Sequence, residues 1–223
     1  MVGDSLIVDV RQVENNVRIR FDILHDGIVH STGSCSRLSS IFNIEMRTTE
    51  GALMLSAKFD PVAHIKSWLP LKRLWGEVRN NVYNVKDAGG TITGRISRVR
   101  KGLFTSYHTV EWLSDMLRIY SISLGDTDYN SVYLGDTQIG MVVKHSYVRN
   151  NLDSYKLYLL DRFASYADIM SLYMLYFDNH YHGHRDEIVI VKHEKSWGWT
   201  FSSTNRFFNK HWLKDNFGLQ DID

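Results

Sequence analysis

A chain of 223 residues with 43% hydrophobic and 13% aromatic content has ample apolar mass for a core. Its formal charge of +1 excludes a strongly basic surface built for nucleic acid. The single cysteine, Cys35, excludes an internal disulfide and suits a reducing compartment. Only two prolines occur and no Ser/Gly/Pro-rich linker divides the chain, so one domain over 1–223 is expected. The opening M-V-G-D-S-L-I-V-D-V has no basic n-region, and no stretch reaches the length of a spanning helix. The expected location is cytoplasmic.

The N-terminal third reads as strands. Leu6, Val8 and Val10 alternate with Ile7, Asp9 and Arg11, and Val17, Ile19, Phe21 and Ile23 alternate with Arg18, Arg20, Asp22 and Leu24. His25-Asp26-Gly27 supplies a D-G turn, with a return through 28–31. Segments 41–46 and 52–59 flank Thr49-Glu50-Gly51 as a second hairpin. Asp60-Pro61 predicts a short helix capped by Asp60, burying Val62, Ile65, Trp68 and Leu69 and stopped by Pro70.

The clearest hairpin follows, with 77–85 alternating, Asp87-Ala88-Gly89-Gly90 turning and 91–96 returning. Segment 109–120 supports two readings. Leu113, Met116, Leu117 and Tyr120 have helical spacing, whereas 118–122 reads as strand. Segments 131–134 and 137–143 form another hairpin about Gly135-Asp136, and Tyr155, Leu157 and Leu159 alternate again. Farther on, 187–191 alternates and 197–201 is its expected partner.

Between these lies F-A-S-Y-A-D-I-M-S-L-Y-M-L-Y-F at 163–177, whose polar residues are Ser165, Asp168 and Ser171. Leu, Met and Ala favour helix, and a helix apolar nearly all round must be buried nearly all round. At 1.5 Å per residue it spans roughly 22 Å, too short for a bilayer. A weak repeat accompanies it: 82–96 and 132–142 share a Val-Tyr strand, an Asp/Gly turn, a β-branched return and a Gly, with 23–34 a looser copy. Repeated hairpins and one helix that needs cover on all sides predict a mainly β fold. The expected form is a closed antiparallel β-barrel around a central hydrophobic α-helix, which also removes exposed sheet edges.

The hairpin pattern Y-x-(V/I)-x-D-x-x-G-x-x-(V/I)-G, followed by Y-x-L-x-x-x-D running into an apolar helix, resembles the tubby C-terminal-like superfamily. That group includes the LURP-one-related proteins, the phospholipid scramblases and small bacterial proteins. The matching segments are 83–96, 133–143 and 155–177. The resemblance implies a roughly twelve-stranded antiparallel barrel threaded by a hydrophobic helix. It also implies recognition of phosphoinositide-type headgroups through basic residues. About 45 residues follow the helix here, where the family usually has a strand or nothing.

Few residues carry a recognisable chemistry. No P-loop, G-x-S-x-G, H-E-x-x-H or C-x-x-C pattern occurs, so no cofactor is expected. Cys35 has no neighbouring His to activate it and reads as a buried or idle thiol. Arg95, Arg98, Arg100 and Lys101 follow the best hairpin; if the strand continues, Arg98 and Arg100 share a face suited to lipid phosphates, and otherwise the run faces water. His180, His182 and His184 lie on alternate positions, with Asp186 or Glu187 as a further ligand, and give a metal reading beside that of a solvated loop. The D-T-D-Y-N run at 126–130 opens like a calcium loop but lacks Gly at the sixth position and Glu at the twelfth, and is rejected.

The last segment, 204–217, sets Phe207, Phe208, Trp212 and Leu213 at near-helical spacing after the capping candidates Thr204 and Asn205. This C-terminal helical extension over 204–223 docks on the barrel or forms a homo-oligomer or partner interface. The leading expectation is a non-enzymatic binding or scaffolding module reading anionic phospholipid headgroups, peripheral to a membrane. A metal-binding protein or metal-dependent hydrolase at His180, His182 and His184, and an interaction domain using the last helix, are the alternatives.

Overall fold

The computed structural model describes residues 5–15, 18–36, 43–66, 77–101, 105–125, 127–145, 152–181, 205–220 and 222. Twelve strands run in chain order: β1 Ser5–Asn15, β2 Arg18–His25, β3 Ile28–Ser36, β4 Asn43–Thr48, β5 Leu53–Phe59, β6 Glu77–Asp87, β7 Ile92–Lys101, β8 Thr105–Trp112, β9 Asp115–Leu124, β10 Thr127–Leu134, β11 Thr137–His145 and β12 Ser154–Leu160. Each pairs antiparallel with its neighbours in sequence, and β1 closes on β12 with Val8 opposite Leu157. The expected mainly β, closed antiparallel barrel is what forms. Closure pairs each of these twelve strands on both sides, so the barrel itself has no edge strand among the described residues.

Local chemistry sets the hairpins. Asp26 and Gly27, both in the left-handed region (φ 49° and 82°), form the two-residue turn that joins His25 to Ile28. That turn twists with the flanking strands, which is why an Asp-Gly pair marks it in the sequence. Alternation then decides the faces: Val8 and Val10, Ile19, Phe21 and Ile23, and Tyr155, Leu157 and Leu159 are all buried.

Segment 109–120 resolves as strand. β8 and β9 meet through a two-residue turn, with Trp112 opposite Asp115 and Leu113 in the left-handed region (φ 54°). Leu113 is 74% exposed, while Leu117 is buried in the main core and Tyr120 falls on the other face. The helical spacing of these residues therefore has no common buried face. Pairing of β9 with both β8 and β10 outweighs it.

The short helix α1, Pro61–Lys66, is capped as expected, since the Ala63 N–H donates to Asp60 Oδ1 at 3.0 Å. Val62, expected on its buried side, is instead 59% exposed. Trp68, Leu69 and Pro70 lie outside the described residues, as do the strands expected at 187–191 and 197–201.

The apolar helix is offset from the window read in the sequence. Residues Asp161–Tyr166 form a 3-10 turn with a kink at Phe163 (φ −116°, ψ 15°), and the α-helix, α2, runs over Ala167–Tyr181. Ser165 is exposed before it, Asp168 sits half-buried in its first turn, and Ser171 is fully buried. The Ser171 hydroxyl is satisfied by donating back to the Ala167 carbonyl at 2.8 Å. Every α2 residue from Ile169 to Asn179 is buried, and the helix shares one apolar core with side chains from all twelve strands. Among the described residues no helix is long and apolar enough to cross a membrane.

A second, smaller core lies on the opposite face of β11 and β12. There α3, Trp212–Phe217, buries Trp212 and Leu213 against Met141 and Val143, the neighbours in β11 of the main-core residue Val142. Gly218, in the left-handed region (φ 66°), ends α3 by donating its N–H to the Lys214 carbonyl.

Candidate functional site

The C-terminal end of α2 meets the ends of β6, β7 and β8 in a cluster of cationic and aromatic groups. Strand parity builds it. The β7–β8 ladder runs without a register shift from Gly94 opposite Trp112 to Lys101 opposite Thr105. Ile96 belongs to the main core, so Arg98 and Arg100 point to the same face as Ile96, while Arg95 and Lys101 point away. The four basic residues of the sequence reading are thus divided into two pairs. Arg95 donates to Asn84 Oδ1 at 3.4 Å on the outer surface. Arg98, half-buried, donates to Ser106 Oγ at 3.4 Å, and its guanidinium lies 5.9 Å over the Tyr181 ring.

His108, directly opposite Arg98 in β8, ties this strand end to the helix. Its Nε2 lies 3.1 Å from the Tyr181 hydroxyl and its Nδ1 3.2 Å from the Tyr173 hydroxyl. Burial, reinforced by Arg98 and then His180, pulls the His108 imidazole down to about 3, so the ring is neutral. A neutral imidazole has one donor and one acceptor, so one tyrosine donates to it and the other accepts from it. Burial raises the Tyr181 phenol, and the Arg98 and Arg100 charges oppose that rise. Tyr176 donates to the Asn81 carbonyl at 3.1 Å, within the β6 bulge where Asn81 takes a left-handed conformation (φ 49°).

Three residues back along α2, a second polar network is buried. Tyr155 donates to Asp178 Oδ1 at 2.7 Å, and Lys144 Nζ lies 2.7 Å from Asp153 Oδ1. The Asp153 backbone is held on both sides: its N–H donates to Gln12 Oε1 and its carbonyl accepts from the Gln12 N–H, each at 2.8 Å. Burial and then the Asp153 charge push the Asp178 carboxyl up to about 7, against the Tyr155 hydrogen bond and Lys144.

The remaining candidates are placed as follows. His180 packs edge-on to Tyr176, with ring centroids 4.6 Å apart, and to Tyr83 at 5.4 Å. His182, His184, Asp186 and Glu187 lie outside the described residues. Cys35 is buried, its thiol 3.9 Å from the Leu175 carbonyl and raised well above its ordinary range by burial, as an idle thiol would be. Asp128 and Asn130 lie within β10 rather than in a cation-binding loop. Phe207 stacks on Tyr120 at 4.0 Å and Phe208 packs 5.6 Å from Tyr129. Tyr133 donates to the Phe207 carbonyl at 3.0 Å. With Trp212 and Leu213 buried, these four residues are engaged within the chain.

The sequence reading found Arg98 and Arg100 but missed His108, Tyr173, Tyr181, Lys144, Asp153 and Asp178. Parity offered one signal, since His108 alternates with Val110 and so shares the inward face. Lys144 and Asp153 belong to different segments and carry no joint signature. Comparison with family models, curated proteins and solved structures finds no match.

Proposed function

We propose that the chain is a non-enzymatic binding module of the tubby-like kind, in which the barrel encloses α2 and an anionic phospholipid headgroup binds at Arg98 and Arg100. Barrel size supports the enclosure. Eight strands leave a lumen that side chains alone fill, whereas twelve leave a wider one. A helix with its side chains is about 10–12 Å across and fills such a space. Burial of α2 on all sides and its shared core with every strand agree with that placement.

The observation that carries the ligand reading is the pairing of Arg98 and Arg100. Two guanidinium groups stand two residues apart on one strand face beside Tyr181, and among the described residues neither has a carboxylate within 4.0 Å. Elsewhere on the barrel arginines do have such partners, as Arg47 has Glu45 and Arg79 has Glu111. Planar guanidinium forks match phosphate oxygens with two parallel hydrogen bonds, and such charge-assisted bonds are stronger than neutral ones.

Co-sedimentation with vesicles containing phosphatidylserine or phosphoinositide, against neutral phosphatidylcholine vesicles, tests the reading. The wild-type chain is expected to pellet with the anionic vesicles at low salt and to dissociate as salt rises. Arg98→Ala/Arg100→Ala is expected to fall to the neutral-vesicle background, while Arg95→Ala/Lys101→Ala, on the other face, keeps most of the binding. No preference for anionic vesicles, or equal loss in both double variants, would overturn it.

A further inference from the structure

At the opposite end of α2, three metal-ligating side chains converge from three separate elements. His25 ends β2, His30 lies in β3 across the Asp26-Gly27 turn, and Asp168 stands in the first turn of α2. One ligand atom from each lies within 4.8 Å of the other two. We propose that His25, His30 and Asp168 bind one divalent first-row metal ion of the Zn(II) class, which pins the β2–β3 hairpin to the start of the helix.

Three features of the cluster favour a metal over a simple ion pair. His30 Nε2 and Asp168 Oδ1 are 3.6 Å apart. That is too long for a hydrogen bond, but it is close to the separation of two ligands on one tetrahedral ion, about 3.4 Å for bonds of about 2.0–2.1 Å. Next, His25 Nε2 and Asp168 Oδ1 are both buried without a hydrogen-bond partner. Orphaned polar atoms of this kind are costly unless something outside the chain satisfies them. Finally, the two imidazoles lie face to face, with centroids 4.1 Å apart and planes 13° from parallel. Two protonated rings would repel at that distance, so the stack favours the neutral imidazole that metals take.

Two imidazoles and a carboxylate suit Zn(II) and its neighbours in the first row rather than Ca(II) or Mg(II), which prefer all-oxygen shells. Three protein ligands leave a fourth position for water. The His30 side chain is 43% exposed, so it has the torsional freedom to bring the three atoms to bonding distance. The site is independent of the Arg98–Arg100 proposal, because it draws on neither those residues nor their end of the helix.

Titration of the metal-free full-length chain with Zn(II), read by calorimetry and by the rise in Tm, tests the proposal, with Co(II) absorption reporting the ligand set. One equivalent is expected to bind, to raise Tm and to give a tetrahedral Co(II) spectrum. His25→Ala/His30→Ala and Asp168→Asn are each expected to lose all three signals. A His180→Ala/His182→Ala/His184→Ala variant keeps them, because none of its histidines is among the three proposed ligands. His30→Gln, at the most exposed ligand, guards against misfolding, since its metal-free Tm should match wild type while its Zn(II) response disappears. Absence of saturable binding, or binding that survives loss of His25 and His30 but not of the distal histidines, would overturn the assignment.

Discussion

Leu175→Ala is expected to destabilise the protein by about 2–5 kcal/mol, with Gly33→Ala costing about 1–3 kcal/mol on its own and little or nothing in the Leu175→Ala background. Leu175 has no solvent exposure and packs against β3 at Gly33. A Cβ added to Gly33 would lie closer to Leu175 Cδ2 than the 3.0 Å that real Cβ atoms respect. The leucine is locked in the main core and cannot swing away freely, so the added methyl overpacks the site. Once Leu175 is truncated, the same methyl occupies part of the cavity left behind. Denaturant unfolding of the four proteins gives the coupling directly. Additive effects would mean that the helix and β3 do not touch at this point.

Lys144→Met is expected to cost about 3–5 kcal/mol, because it leaves the Asp153 and Asp178 carboxyls without their buried cation. The Lys144 side chain is only 6% exposed, so water does little to replace it. The loss should also depend on pH. Asp178 titrates at about 7 in the folded chain against an ordinary 3.8, so between those values the native state holds a proton that the unfolded chain has released. Its contribution to stability is therefore full below about pH 4 and is lost as pH rises through about 7, a fall on the order of a few kcal/mol. Lys144 opposes the upward shift, and without it the ionised Asp178 of the alkaline range is less well tolerated. Lys144→Met should lose more stability at pH 8 than at pH 5, and Asp178→Asn should flatten the pH dependence of the wild-type chain. Equal losses at both pH values would show that Lys144 does not stabilise the Asp178 charge.

Much of the barrel was legible because its signals are local. The Asp26-Gly27 turn, the Asp60 cap of α1 and the alternation of Ile19, Phe21 and Ile23 each depend on a few adjacent residues, and each stands where the sequence placed it. What the sequence left open or misplaced depended on context. Leu113, Met116, Leu117 and Tyr120 fit a helix until β9 pairs on both sides. The start of α2 was read too early because Phe163 and Tyr166 are as apolar as the helix itself, yet they pack from a 3-10 turn rather than from an α-helix.

The candidate sites were less legible for the same reason. Arg98 and Arg100 could be assigned to one face by alternation. Their neighbours His108 and Tyr181, however, are 73 residues apart and meet only because β8 lies beside the end of α2. His25, His30 and Asp168 likewise draw on a hairpin and a distant helix, a combination that sequence spacing does not announce.

The central claim, that the barrel is filled by α2, is tested most directly by the reactivity of Cys35. It is the single cysteine of the chain, and its thiol faces the Leu175 carbonyl at 3.9 Å. A small alkylating reagent added to the native protein is expected to label it no faster than the whole molecule unfolds, with full labelling in denaturant. Labelling of the folded chain at the rate of the denatured control would mean that the lumen beside β3 is open, and the account would be wrong.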